Sequence, residues 1–377
     1  MSRLARFLLP LVLALPAAAH ADLAPLPDAQ VQALRALPQD PAPPALTRNS
    51  HYWVSNENAL ELFYPHIQNK GGVLIGVGTD QNYLFAGWAK PEILILMDFD
   101  VGISQIHQAY SIIFAEAADP EAFLAWWDEG HEKQLVEKIK AKYTEPGLQK
   151  HILSALKTAR HTVFARLKKE KKHFAKLNIP TFLSDAAQYA YVRDLWVKNR
   201  VVALRGDLTA TQTMKGIADL LKAQSWTVGV FYPSNAEQYF DFVEQYRTNV
   251  TSLPATDAST VIRTLGWGSL YGKADETYHY SVQPLKNFDA WLKDPGTQNV
   301  GKMHRFRTPS PDIIGFSTFD KVPGAEPTPN YRAGKGKAKA ADDGAPVEPR
   351  KHHKKKDLDA AGGSPADKPA GSPPETH

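Results

Sequence analysis

Cysteine is absent from all 377 residues. The absence excludes a disulfide framework, a thiolate metal site, a cysteine nucleophile and the lipid-bearing cysteine of an exported lipoprotein. It also suits an oxidising compartment, where a stray thiol is a liability. Excess charge of either sign is missing too, since 44 Lys and Arg face 40 Asp and Glu for a formal net charge of +4. That excess sits at the two ends. Residues 1–21 hold Arg3 and Arg6 and no acid, residues 331–377 hold ten Lys/Arg against seven Asp/Glu, and residues 22–330 are left at −1. A near-neutral core excludes nucleic-acid binding by neutralisation of phosphates, which needs a field of uncompensated cations. No apolar run long enough to span a bilayer follows the N-terminus, so no transmembrane anchor is expected in the mature chain. There is no Gly-x-Ser-x-Gly elbow, no phosphate loop ending in Gly-Lys-Ser/Thr and no His-Glu-x-x-His. His131, His151, His161 and His173 are too widely spaced to predict a zinc site. Asp98 and Asp100 alternate along an apolar run, which predicts opposite faces and no shared metal.

What is present is ample material for a core: 43% of residues are hydrophobic and 10% aromatic. Without its ends the chain retains about 300 residues, enough for one large domain or two small ones. Residues 1–21 have the three parts of an export signal: Arg3 and Arg6, an apolar stretch over residues 7–15, and Ala19-His20-Ala21 before Asp22. They predict a periplasmic or secreted protein. Residues 22–50 are rich in Pro and Ala around one short helix at 29–37 and read as a lead-in. From residue 323 to 377 large apolar residues nearly vanish, so burial cannot repay the entropy of ordering. The run Lys351-His352-His353-Lys354-Lys355-Lys356 offers this tail weak contact with an anionic surface; the alternative is a solvated tail with no dedicated partner.

Between these limits, over residues 51–322, strand and helix patterns alternate. Continuous apolar runs at residues 72–78 and 93–98 fit strands buried on both faces, and further strands are expected at 200–205, 226–232, 260–265 and 277–282. Thr79 or Asp80 is placed to cap a helix running through Trp88. The pattern predicts an α/β fold with a Rossmann-like, mostly parallel sheet. Residues 103–178 form a long helical insertion between strands two and three, with a break at Pro146-Gly147, and are expected to cap one sheet edge.

In such a sheet the ligand crevice lies beyond the carboxyl ends of the strands, where the strand order reverses. Gly76, Gly78, Thr79 and Asp80 follow the first strand, Asp98 and Asp100 the second, Gly206-Asp207 the third, and Ser234-Asn235-Ala236-Glu237-Gln238 the fourth. Glycines at the first turn let backbone approach a ligand, and an acid about 20 residues on can accept from ribose hydroxyls. Each piece has a plain structural alternative: a lone Gly-x-Gly is common by chance, and Asp98 fits equally as a helix N-cap. His107, on the helix after strand two, reads either as a base or substrate contact or as a hydrogen-bonded helix histidine.

As a set, Ser55-Asn56-Glu57, Gly76-Val77-Gly78 with Gln81-Asn82, Asp98 with His107, Gly206-Asp207-Leu208 and Ser234-Asn235-Ala236-Glu237-Gln238-Tyr239 resemble an uncharacterised bacterial family of S-adenosylmethionine-dependent methyltransferase-like Rossmann proteins. The resemblance covers residues 55–285. It implies S-adenosylmethionine as cofactor, held by the glycine turn at its amino-acid part, by Asp98 at the ribose and by Asp207 at the adenine. His107, Asn235 and Glu237 are then the candidates nearest the substrate. Two positions depart from the broader methyltransferase pattern. Leu74 replaces the acid that usually anchors the cofactor's ammonium, and Asp80 replaces a third glycine, a position from which its carboxylate would restore that charge. Asp100-Val101 also stands where the narrower family is associated with a basic pair. An exported enzyme would in addition meet little S-adenosylmethionine. The expectation is therefore a methyltransferase-like protein of unassigned substrate, or an exported Rossmann-like small-molecule-binding or scaffold protein without catalysis.

Overall fold

The computed structural model describes residues 23–266 and 272–329. The expected export signal, residues 1–21, and the tail beyond residue 329 lie outside the described residues. In chain order the elements are α1 (Asp28–Arg35), α2 (Tyr64–Ile67), β1 (Val73–Val77), α3 (Gln81–Ala89), β2 (Ile93–Asp98), α4 (Val101–Glu116), α5 (Pro120–Trp126), α6 (Glu132–Lys142), α7 (Pro146–Leu177), α8 (Ala186–Val197) and β3 (Val201–Arg205). They continue with α9 (Thr213–Ala223), β4 (Val228–Tyr232), α10 (Glu244–Thr251), β5 (Ala255–Leu265), β6 (His279–Pro284), α11 (Leu285–Lys293), α12 (Val300–His304), β7 (Thr308–Pro309) and β8 (Phe316–Thr318).

The strands form one sheet in the order β3-β2-β1-β4-β5-β6-β8-β7. β1 to β5 pair in parallel, β6 runs antiparallel to β5, and β8 is parallel to β6. This is an α/β, mostly parallel, Rossmann-like sheet. The chain moves outward from β1 to β3 in one direction and from β4 to β6 in the other, so the order reverses between β1 and β4. Period-two alternation divides each central strand between two cores. Leu74, Leu94 and Leu96 enter one core with α3, α4, α5, α7 and α8. Val73, Ile75, Ile93, Ile95 and Met97 enter the other with α1, α9, α10 and α11. That two-sided burial is why β1 and β2 read as unbroken apolar runs.

Between β2 and β3 lie five helices, α4 to α8, which pack over one face of the sheet rather than over an edge. Pro146-Gly147 starts α7 rather than interrupting a helix, because proline at the first helical position gives up only an N–H that has no partner there. The side chains of Asp100, Asp119, Glu145 and Asp185 cap α4, α5, α7 and α8.

The expected boundaries shift at both ends. The lead-in belongs to the second core: Leu26, Val31, Leu34 and Leu37 are buried in it, and Asp40 is 1% exposed. At the other end the Thr328 amide donates to the Arg305 carbonyl at 2.8 Å and Lys321 Nζ to Thr328 Oγ1 at 2.6 Å. The first residues of the expected tail are therefore bonded to the domain.

Candidate functional site

A cavity of about 640 Å³ opens at the carboxyl ends of β1, β2 and β4, at the reversal of strand order. Its wall is built from the loop at residues 47–57, the turn after β1, the β2–α4 junction and the segment after β4. Glu57, Asp98 and Asp100 line it, and among the described residues Arg48 is the cation that lines it. Tyr52, Phe99, Tyr239 and Tyr278 add aromatic surface, with Tyr52 and Tyr239 exposed at 45% and 57%.

The first turn needs its glycines for close packing. Gly78 adopts φ +91°, and a Cβ there would lie 2.5 Å from Gln81 Nε2. A Cβ on Gly76 would collide with the Asn82 side chain. Gln81 Nε2 and Asn82 Nδ2 both donate to the Val77 carbonyl, at 3.2 and 3.1 Å, so the turn satisfies its own backbone. Gly78 lines the cavity; Gly76 lies inside the strand.

Asp98 ends β2 and lines the cavity. Its Oδ1 accepts the Asp100 amide at 2.9 Å, and no side chain among the described residues donates to it. Burial and the neighbouring Asp100 charge push its pKa up to about 7, against the backbone hydrogen bonds that favour the ionised form. The N-cap duty falls to Asp100, whose Oδ1 accepts the Gly102 amide at 2.8 Å while Oδ2 bonds His51 Nδ1 at 2.6 Å. The two carboxylates do not point to opposite faces, as strand alternation predicted. β2 stops at Asp98, the chain turns, and both line the same cavity.

Several sequence-predicted residues lie elsewhere. Asp80 is 1% exposed and is held by the Ser55 amide (2.7 Å), Thr79 Oγ1 (3.0 Å) and Arg166 Nε (3.2 Å), so its charge is already compensated inside the protein. His107 does not line the cavity. Its Nε2 donates to the Gly78 carbonyl at 3.0 Å, which leaves Nδ1 to accept from Tyr83 Oη at 2.7 Å. Burial lowers its pKa to about 4, so it is a neutral strut under the glycine turn. Glu237 is fully buried in an ion pair with Arg263 (2.5 Å) and accepts from Tyr246 Oη (2.6 Å). Asp207 follows the sheet's edge strand β3, two strands from β1. It caps its own turn at Thr209, while its amide donates to Asp40 (3.1 Å). Asn235 does reach the cavity, where its Nδ2 donates to Tyr278 Oη (3.2 Å) and that hydroxyl donates to Asn56 Oδ1 (3.0 Å).

Two participants carry roles that the sequence does not assign: Glu57 stands there only as part of the Ser55-Asn56-Glu57 motif, and Arg166 is not singled out. Glu57 is 2% exposed and lines the cavity, with Tyr232 Oη, Thr264 Oγ1 and Ser234 Oγ all donating to Oε1, at 2.7, 3.0 and 3.1 Å. Burial raises its pKa, opposed by those hydroxyls and by Arg166. Arg166 on α7 ties the site together. Its Nη2 donates to the Glu57 carbonyl (2.6 Å), Nη1 to Asn58 Oδ1 (3.2 Å), and its guanidinium pairs with Asp80 and with Glu170, the latter at 3.0 Å. Glu170 is itself pushed up to about 7 by burial, against the pull of Arg166. The available signal was positional: Arg166 and Glu170, with Arg160, interrupt the otherwise apolar buried stripe of α7, which a solvated charge would not do.

The chain matches no curated protein. A family profile does match residues 52–320, from the cavity's entrance loop to just past β8. By that match, which covers well over half of its length, the chain belongs to the family described as Domain of unknown function (DUF7790).

Proposed function

We propose that the cavity binds an S-adenosyl compound and that the chain is an S-adenosylmethionine-dependent methyltransferase-like protein. The observation that carries this reading is Asp98: an acid at the end of β2, on the cavity wall at the strand-order reversal, with no side-chain donor of its own. It is placed to accept both ribose hydroxyls, while the Gly78 turn offers close backbone approach to the amino-acid part. A cavity of about 640 Å³ is in the range of small-ligand sites. Asn235 is the substrate-side candidate on the wall, and a methyl transfer that depends on alignment needs no strong base there.

A second reading, binding without catalysis, is favoured by one fact. The two acid–base candidates, His107 and Glu237, have their polar atoms committed to protein partners, and neither lines the cavity. Titration calorimetry of the full chain with S-adenosylmethionine and S-adenosylhomocysteine tests the first step, and label transfer from methyl-labelled S-adenosylmethionine separates the two readings. No heat with either compound at millimolar concentration rejects the S-adenosyl site. Binding without transfer to any offered acceptor leaves the binding protein.

A further inference from the structure

Helix α7 spans 32 residues, about 48 Å at 1.5 Å per residue. It holds nine Lys/Arg and one acid, Glu170, a net +8 that stands against −9 for the rest of residues 22–330. The charges are sorted around its axis. Arg160, Arg166 and Glu170 are buried with Ile152, Leu156, Val163, Leu167 and Phe174. Lys150, Lys157, His161, Lys168 and Lys172 are all exposed. At 3.6 residues per turn these five fall within about 40° of one line, a row roughly 33 Å long.

A helix face that only meets water usually mixes acids among its bases, because Glu–Lys pairs at i,i+4 stabilise it and like charges repel. Here Lys168 and Lys172, and Lys172 and Lys176, are like-charged i,i+4 pairs. Among the described residues, the exposed or half-exposed cations of α7 pair with acids at Lys171 with Glu121, His161 with Glu129 and His173 with Glu61, and no acid pairs with Lys150, Lys157, Lys168 or Lys172. The row therefore costs the helix stability that an external counter-charge would restore. Residues 331–377, with ten Lys/Arg against seven Asp/Glu, have the wrong net sign to provide it.

The geometry points to an anionic phospholipid surface as the partner, and we propose that the lysine row of α7 docks on it. The exposed cations are lysine and histidine, while both arginines face inward. Lysine acts as a point charge suited to a diffuse field of headgroup phosphates, whereas the planar fork of arginine serves bidentate recognition of particular phosphates or bases. The near-straight row fits a flat surface, and the acidic remainder of the domain orients it by repulsion. No helix of the described residues is long and apolar enough to cross a membrane, so the contact is peripheral.

The test is co-sedimentation of the full chain with phosphatidylcholine vesicles, with and without roughly a third phosphatidylglycerol, at about 0.1 M salt and again at several-fold higher salt. Sedimentation is expected with the anionic vesicles only, and high salt should release it. Changing Lys150, Lys157, Lys168 and Lys172 to Glu should lower partitioning at least ~10-fold, and the same four changed to Gln should lower it less. These side chains are solvent-exposed, so circular dichroism should match wild type. Replacing Lys351, Lys354, Lys355 and Lys356 with Gln serves as the comparator and should matter less than the α7 changes. Equal binding to neutral vesicles, an α7 variant that partitions like wild type, a tail variant that alone abolishes binding, or tighter binding to duplex DNA at the same salt would each overturn the proposal.

Discussion

At the residue scale, Asp98 and Asp100 differ in function because they differ in hydrogen-bonding commitments. Asp100 already serves the Gly102 amide and His51, whereas Asp98 accepts only from backbone. Asp98→Ala should therefore cost S-adenosyl affinity about 1.5–3 kcal/mol, roughly 10- to 150-fold, as expected for loss of charge-assisted bonds. Asp100→Ala should lose stability, by about 1 kcal/mol for a missing N-cap, with a smaller change in affinity. Equal affinity losses in the two variants, measured by calorimetry, would remove the ribose assignment. The raised pKa of Asp98 adds a pH signature. Its folded value of about 7 exceeds its ordinary 3.8, so the folded state holds the extra proton between them and the penalty for ionisation enters as pH rises through that window. Asp98→Asn should accordingly melt higher than wild type at pH 8, with the difference gone below pH 4. His107 has the opposite sign. Its folded value of about 4 lies below 6.5, so its contribution is complete above pH 6.5 and fades as pH falls toward 4. The gap in melting temperature between wild type and His107→Gln should narrow over that interval; a constant gap would mean that His107 does not stay neutral.

At the scale of elements, α7 is the part that converts a sheet with a turn into a shaped cavity. Through Arg166 it clamps the β1–α3 turn at Asp80 and the entrance loop at Glu57 and Asn58. Removing the cation would strand two buried carboxyls, Asp80 and Glu170. Arg166→Met should thus cost about 3–5 kcal/mol, the usual result of removing one partner of a buried pair. Adding Asp80→Asn and Glu170→Gln should recover part of that loss. Denaturant unfolding of the single and triple variants checks this, and equal midpoints for Arg166→Met and wild type would show that the cluster carries no such strain.

At the scale of the whole molecule, the domain limits are set by packing rather than by composition. Residues 26–40 look like linker by their Pro and Ala content, yet Leu34 and Leu37 fill the second core and Asp40 accepts the amides of Asp207, Gln212 and Thr213. Thr328 likewise bonds back to Arg305 and Lys321. Truncation after residue 329 should leave the melting temperature nearly unchanged, since the apolar-poor remainder can bury little. Truncation after residue 322 should lower it by several degrees, a shift worth about 1–2 kcal/mol. Equal losses in calorimetric scans would move the boundary. Compartment is open to the same kind of check: N-terminal sequencing of the native protein is expected to begin at Asp22 outside the cytoplasm, and an intact Met1 inside it would reject the export signal.

The sequence by itself determined the parts whose information is local. β1, β2 and β4 were legible because a strand buried on both faces must be continuously apolar, and the glycine turn and Asp98 because they follow such runs directly. Tertiary structure alone decided which polar residues share the cavity. Glu237, His107, Asp80 and Asp207 all lie near strand ends in sequence, yet each is drawn into partners distant along the chain: Arg263, Tyr83, Arg166 and Asp40. Asp100 moved the other way, into the cavity, because the strand period that assigned its face ended two residues earlier. Burial forces a polar group to find a partner wherever folding brings one, and neither periodicity nor spacing encodes these contacts, which span from 24 residues (Tyr83 to His107) to 167 (Asp40 to Asp207).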